Sequence, residues 1–150
     1  MQTTFRSATD LVRDMRAGSL TAEALMEATL DRIDAVNGQV NAIVSMAGRQ
    51  DLIDQARAAD RAGLTGPLAG LPIAIKDLAN AAGFETSQGS PVFAGQIAAK
   101  DDIMTARIRQ AGAIVIGKTN VPEFGLGSHT FNPVHGATRN PYDPARSCGG

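Results

Sequence analysis

Apolar positions in the first sixty residues recur at helical spacing. Leu11, Val12 and Met15 fall on one side of residues 7–16, and Gly18 follows as a stop. Thr21 is suited to cap a second helix, with Glu23 and Glu27 near its positive end. Leu25, Thr29, Ile33 and Val36 mark that helix's inner face, and Asn37-Gly38 is its predicted end. A third helix is predicted over 49–62. Leu52, Ile53, Ala56 and Ala59 face inward, while Arg49, Asp51, Asp54, Arg57, Asp60 and Arg61 form a solvated face ending at Gly63.

The pattern changes after Leu64-Thr65-Gly66-Pro67. The run Leu71-Pro72-Ile73-Ala74-Ile75-Lys76-Asp77-Leu78 reads as a buried strand, followed by a loop of small residues over 79–90. Asp101 or Asp102 caps a short helix through Ile103, Met104, Ala106, Arg107 and Ile108, stopped by Gly112. Ala113-Ile114-Val115-Ile116, with three β-branched residues in succession, is predicted to be a central strand. Strand, helix and strand in that order make a βαβ unit, parallel and right-handed. Beyond Lys118 one helical turn is expected near Val121-Pro122-Glu123-Phe124. The class is α/β: a helical arm over 1–63, then a βαβ core over 64–150 in a mixed sheet flanked by helices.

Composition narrows the setting. The 150 residues are 43% hydrophobic and 19% charged, enough for one domain with a buried core. A net charge of −1 with no basic stripe argues against nucleic acid and against a membrane surface. Residues 1–6 lack the apolar stretch of a signal peptide. The lone Cys148 excludes an intramolecular disulfide and fits a reducing cytoplasm. Glycines cluster late, at 112, 117, 125, 127, 136, 149 and 150, which points to loops and close backbone approaches.

Lys76 is the first candidate for chemistry. An ammonium is expensive to remove from water, so a lysine closing a buried strand tends to shed its proton and become a base. The bland alternative is a strand that surfaces at residue 76 and lets the amine reach solvent. A second candidate is Gly112-Ala113-Ile114-Val115-Ile116-Gly117-Lys118-Thr119, which matches the spacing of a phosphate-cradling P-loop. That chemistry needs a loop where this chain has its best strand, and nucleotide binding stands only as an alternative. His129 and His135 lack the partners of a metal site, and no metal or cofactor is expected. Cys148 with either histidine would make a nucleophile pair, but beside two glycines it reads as a small packing residue.

Several motifs taken together resemble a known family. Gly66-Pro67-Leu68-Ala69-Gly70-Leu71-Pro72-Ile73-Ala74-Ile75-Lys76-Asp77 is similar to the start of the amidase signature core. So are Ala111-Gly112-Ala113 through Gly117-Lys118-Thr119-Asn120, then Pro122-Glu123-Phe124-Gly125, and Arg139-Asn140-Pro141-Tyr142-Asp143-Pro144. Arg146-Ser147-Cys148-Gly149-Gly150 resembles the lead-in to that family's serine-rich motif. Residues 1–63 are similar to its N-terminal region, less distinctively.

The resemblance implies hydrolysis of a non-peptide carboxylic amide by a Ser–cis-Ser–Lys triad. Lys76 falls on the position of the triad lysine. Ile73 and Ile75 are the neighbours expected to desolvate it, and Asp77 should point to the opposite face. Gly125 and Leu126 fall in the family's substrate-facing stretch, and His129 in a substrate-side loop. Lys118 and Asn120 are expected to hydrogen-bond the turn after their strand, and Glu123 nearby backbone. The bridging serine is expected just after Gly150 and the nucleophile further on. The chain is therefore read as an N-terminal fragment, truncated before the serines and inactive alone. Asn120-Val121-Pro122-Glu123-Phe124 favours a free-standing amidase acting on a small-molecule amide, with a homodimer as the assembly allowed. The A subunit of a tRNA-dependent amidotransferase is the same-family alternative.

Overall fold

The computed structural model describes residues 3–149. Helix α1 (Ala8–Arg16) starts where Ser7 Oγ accepts from Asp10 N at 3.1 Å. Helix α2 (Ala22–Val40) starts at Thr21, whose Oγ1 accepts from Ala24 N at 3.0 Å. Two further N–H groups at that end, those of Ala22 and Glu23, donate to the Asp60 carboxylate at 2.8 and 3.1 Å. Asp60 lies in α3 (Arg49–Arg61), so part of the face expected to be solvated turns to α2 instead. Arg57 of the same helix pairs with Glu23 at 2.7 Å.

Helix α2 runs past the predicted stop and ends at Asn41, which takes φ 55°. Asn37 lies in the last turn of α2 and is not its terminus. Its Oδ1 accepts from Ala42 N and Ile43 N, both at 2.9 Å, and turns the chain into strand β1 (Ile43–Met46). That strand lies inside the segment read as wholly helical, so residues 1–63 contribute to the sheet as well as to the helical layer.

Strand β2 (Pro72–Lys76), helix α4 (Ile103–Gln110) and strand β3 (Ile114–Thr119) follow. The sheet order is β1-β3-β2, with β3 central as expected. β2 and β3 are parallel, as a βαβ unit requires, and β1 pairs with β3 antiparallel. Gly117 lets β1 approach: a Cβ there would stand 2.3 Å from Ser45 O. Leu11, Met15, Leu25, Leu30, Leu52, Leu71, Ile114 and Ile116 form the main core under the helices. Ile75, Val115 and Ala81 form a smaller core on the other face.

One irregularity in the sheet places the chemistry. Ile73 pairs with Val115 and Ala74 with Gly117, so β3 carries one extra residue between them. Such a bulge moves every later side chain to the other face. Beyond β3, the turn expected near Pro122 is a 3-10 turn at Glu123–Gly125, broken by Phe124 at φ 54°. Two short strands, β4 (Phe131–Asn132) and β5 (Gly136–Ala137), pair with each other. Among the described residues no helix is long and apolar enough to cross a membrane.

Candidate active site

The end of β2 sorts two adjacent charges onto opposite faces. Asp77 is 1% exposed, whereas Lys76 is exposed. Strand alternation puts Ile73 and Ile75 on the side of Asp77, not of Lys76. The desolvation of Lys76 by those isoleucines, expected from sequence, is therefore absent, and in this chain the amine reaches the surface. Among the described residues Lys76 Nζ makes no ion pair and no hydrogen bond.

The buried lysine is Lys118, which is 0% exposed. Strict alternation from Ile114 and Ile116 would place it under the helices. The bulge instead puts it in register with Ile75 and on the face of Asp77. Its three donors are all used: Asp77 Oδ1 at 3.1 Å, Thr86 Oγ1 at 2.8 Å and the Glu85 carbonyl at 3.3 Å. These partners lie at the end of β2 and in the loop after it, not in the turn after β3 as expected. Burial pushes the Lys118 ammonium below its ordinary pKa, and the hydrogen bond and charge of Asp77 oppose that.

Asp77 is also held from the loop. Ser87 donates to it twice, from Oγ to Oδ2 at 2.6 Å and from N to Oδ1 at 3.2 Å. The Ser87 hydroxyl has one proton and gives it to Asp77, so it accepts from Gly89 N at 3.0 Å and from His135 Nε2 at 3.1 Å. In that arrangement Nε2 of His135 is the donor to Ser87 Oγ. A serine, a histidine and an aspartate meet here, but not as a nucleophilic triad: Ser87 is 0% exposed and its proton faces the acid, not the base.

The stretch of Gly125 and Leu126 comes against the same strand end. Gly125 takes φ +72°, and a Cβ on it would stand 2.7 Å from Leu78 Cδ1. Leu126 is 79% exposed. It borders a depression of about 580 Å³ together with Pro122, Glu123, His129, Phe131 and Pro133. His129 bridges to Gly149, and Thr130 Oγ1 donates to Gly149 O at 3.1 Å. The segment leading out of Cys148 therefore runs beside that depression.

Other candidates fall away. The P-loop spacing is occupied by β3, so its amides serve the sheet and cannot wrap a phosphate; Lys118 is enclosed with Asp77. Among the described residues no hydrogen bond joins Cys148 to His129 or His135, and none uses the Glu123 carboxylate. Asn120 does bond the turn after β3, accepting from Val121 N at 2.9 Å. Lys118, Ser87 and His135 escaped the sequence reading as a cluster, since they are far apart in the chain and the bulge that aims Lys118 has no local signature.

Comparison with known proteins gives the frame. The model of the Amidase family matches residues 24–150. The A subunit of the glutamyl-tRNA(Gln) amidotransferase of Streptomyces avermitilis is 39% identical, over 96% of this chain and 29% of its own length. Indoleacetamide hydrolase of Bradyrhizobium diazoefficiens is 41% identical, over 96% of this chain and 28% of its own. A bacterial aryl acylamidase of the amidase signature enzymes superposes with a TM-score of 0.90 at 26% identity, over 97% of this chain and 31% of that one. The chain thus spans less than a third of the length of these relatives.

Proposed function

Because the chain belongs to the amidase family, we propose that the whole protein hydrolyses the C–N bond of a small carboxylic amide, with Lys76 as the base of a Ser–cis-Ser–Lys relay. The observation that carries this reading is the split at the end of β2. Lys76 presents its amine on an open face, while the one carboxylate next to it in sequence is turned inward and neutralised by Lys118. A base needs that separation, because an adjacent carboxylate would stabilise its protonated form.

In the relay, neutral Lys76 takes a proton from a bridging serine expected just after Gly150. That serine takes one from the nucleophilic serine further on, which attacks the amide carbonyl. The amine leaves with a proton returned along the relay, and water clears the acyl-enzyme. The depression bordered by Leu126 is suited to the substrate, and Gly149 pairs with His129 on its border. The cytoplasm is the proposed compartment, on the strength of the single cysteine.

The favoured form is a free-standing amidase, on the Asn120-Val121-Pro122-Glu123-Phe124 motif. An amidotransferase A subunit is the second reading, favoured by the glutamyl-tRNA(Gln) relatives. The test uses the full-length protein, a panel of simple primary and aryl amides, and a serine-directed fluorophosphonate. Ammonia or amine release by the protein alone, with an adduct on a serine beyond residue 150, is expected. Absence of both hydrolysis and adduct would overturn the reading. Turnover of glutamine only with partner subunits would favour the second.

A further inference from the structure

We propose that the buried chain Lys118–Asp77–Ser87–His135 is a positioning device that fixes the Lys76 end of β2 against the loop of Gly125 and Leu126. The inference rests on the reading of Lys76 as the base. It assigns to Ser87 and His135 a part in catalysis that neither has by touching substrate.

The connections can be followed atom by atom. Lys76 is one residue before Asp77, and Asp77 N donates to Thr119 O at 3.0 Å, so the backbone at this point is tied to β3. The Asp77 carboxylate takes Lys118 on one oxygen and the Ser87 hydroxyl on the other. Ser87 Oγ then receives His135 Nε2. His135 is itself bound into the far loop: its N–H donates to Asn132 Oδ1 at 2.7 Å, and Asn132 Nδ2 donates to Val121 O at 2.8 Å and to Asn120 Oδ1 at 2.7 Å. Val121 opens the stretch that reaches Gly125 and Leu126.

A second link runs beside the first. Phe124 N donates to Gln88 O at 2.8 Å, joining the residue after Ser87 to the residue before Gly125. Both residues sit in the left-handed region, Gln88 at φ 53° and Phe124 at φ 54°. Residues other than glycine rarely adopt that conformation, which persists only where the surroundings hold it. Two such residues on either side of one hydrogen bond mark a junction held against its local preference. The neighbouring Gly89 is pressed equally close, since a Cβ there would stand 3.0 Å from Val121 O and 3.1 Å from Asn132 Cβ.

Lys118, Asp77, Ser87 and His135 are buried or nearly so and none of them lines the depression; of the links beyond them, Asn132 does. The effect of these four on a reaction must therefore pass through geometry. Displacing a catalytic group by about 1 Å is enough to lower a rate by about two orders of magnitude. When Ser87 or His135 is lost, the hydrogen bond from Phe124 N to Gln88 O still holds the Gly125 and Leu126 stretch, so the shift falls on the Lys76 side and acts on kcat more than on KM.

The test compares Ser87→Ala, His135→Ala and His135→Gln in the full-length amidase, with Lys76→Ala beside them. Active sites are titrated with a fluorophosphonate so that rates refer to competent molecules. Ser87→Ala and His135→Ala are expected to lower kcat about tenfold or more, with KM within about twofold. His135→Gln keeps a donor near the position of Nε2 and is expected to restore most of kcat. Unchanged kcat in both alanine variants, or a loss in His135→Ala that glutamine fails to restore, would overturn the proposal. If Ser87→Ala does not fold, the two His135 variants decide it alone. Near-normal turnover in Lys76→Ala would instead overturn the reading on which the proposal rests.

Discussion

Lys118 Nζ lies 3.1 Å from Asp77 Oδ1 in the interior, and this contact directs the charge of Asp77 away from Lys76. Two lysines and one aspartate meet at the end of a parallel strand pair, and only one lysine is paired. The bulge in β3 decides which.

Removing Lys118 should be severe. In Lys118→Met the Asp77 carboxylate remains buried with the Ser87 hydroxyl as its one side-chain hydrogen-bond donor among the described residues, and losing one partner of a buried pair costs about 3–5 kcal/mol. Asp77→Asn added to Lys118→Met should recover part of the loss, and urea denaturation of the full-length variants measures both. The pair also has a pH signature. The folded pKa of Lys118 lies below its ordinary value of 10.5, so in the window between the two the unfolded chain holds more protons. The Lys118 contribution to stability therefore rises with pH across that window, and below it the burial penalty is constant. Subtracting the Lys118→Met profile from that of the natural protein should give a positive alkaline slope. A falling difference would contradict the burial.

Gly117 is required by the approach of β1 to β3. Gly117→Ala places a methyl 2.3 Å from Ser45 O, a backbone atom that can yield only if the strand moves. A loss of about 1–3 kcal/mol is expected, as for overpacking elsewhere. It should appear in the melt of the whole protein, and an unchanged midpoint would refute the close approach.

The helices were legible in the sequence because their apolar spacing is local. Thr21 acts as the cap it was expected to be, and Gly63 ends α3 at φ +82°. The parallel β2–β3 pair was legible as well, since Ile114-Val115-Ile116 admits little else. β1 was not. Its four residues, Ile-Val-Ser-Met, are too few to show a period, and the left-handed turn at Asn41 and the Asn37 side chain set them on course. The buried ion pair was hidden for another reason. Alternation forecasts one face for Lys118, and a single extra residue in β3 gives it the other. Asp77 was placed correctly by the same rule because β2 has no bulge beyond Ala74.

Gly125 sits where a side chain would collide with Leu78. Gly125→Ala meets both an unfavourable φ of +72° and a contact of 2.7 Å to Leu78 Cδ1. Displacing this loop should raise KM about tenfold in the full-length enzyme. Leu78→Ala in the same chain removes the collision and should recover part of that loss. Kinetics of the two variants and their combination check it: additive losses would contradict the collision with Leu78, and an unchanged KM in Gly125→Ala would place Gly125 away from the substrate.

Lys76→Ala in the full-length protein tests the central claim most directly. Turnover of a good amide substrate, read alongside circular dichroism and the thermal melt, is the measurement. Within residues 3–149 the Lys76 side chain is exposed and makes no hydrogen bond or ion pair, so the fold should persist while kcat falls by about three orders of magnitude or more. A folded Lys76→Ala enzyme that hydrolyses its amide at near the natural rate would contradict the assignment of Lys76 as the base.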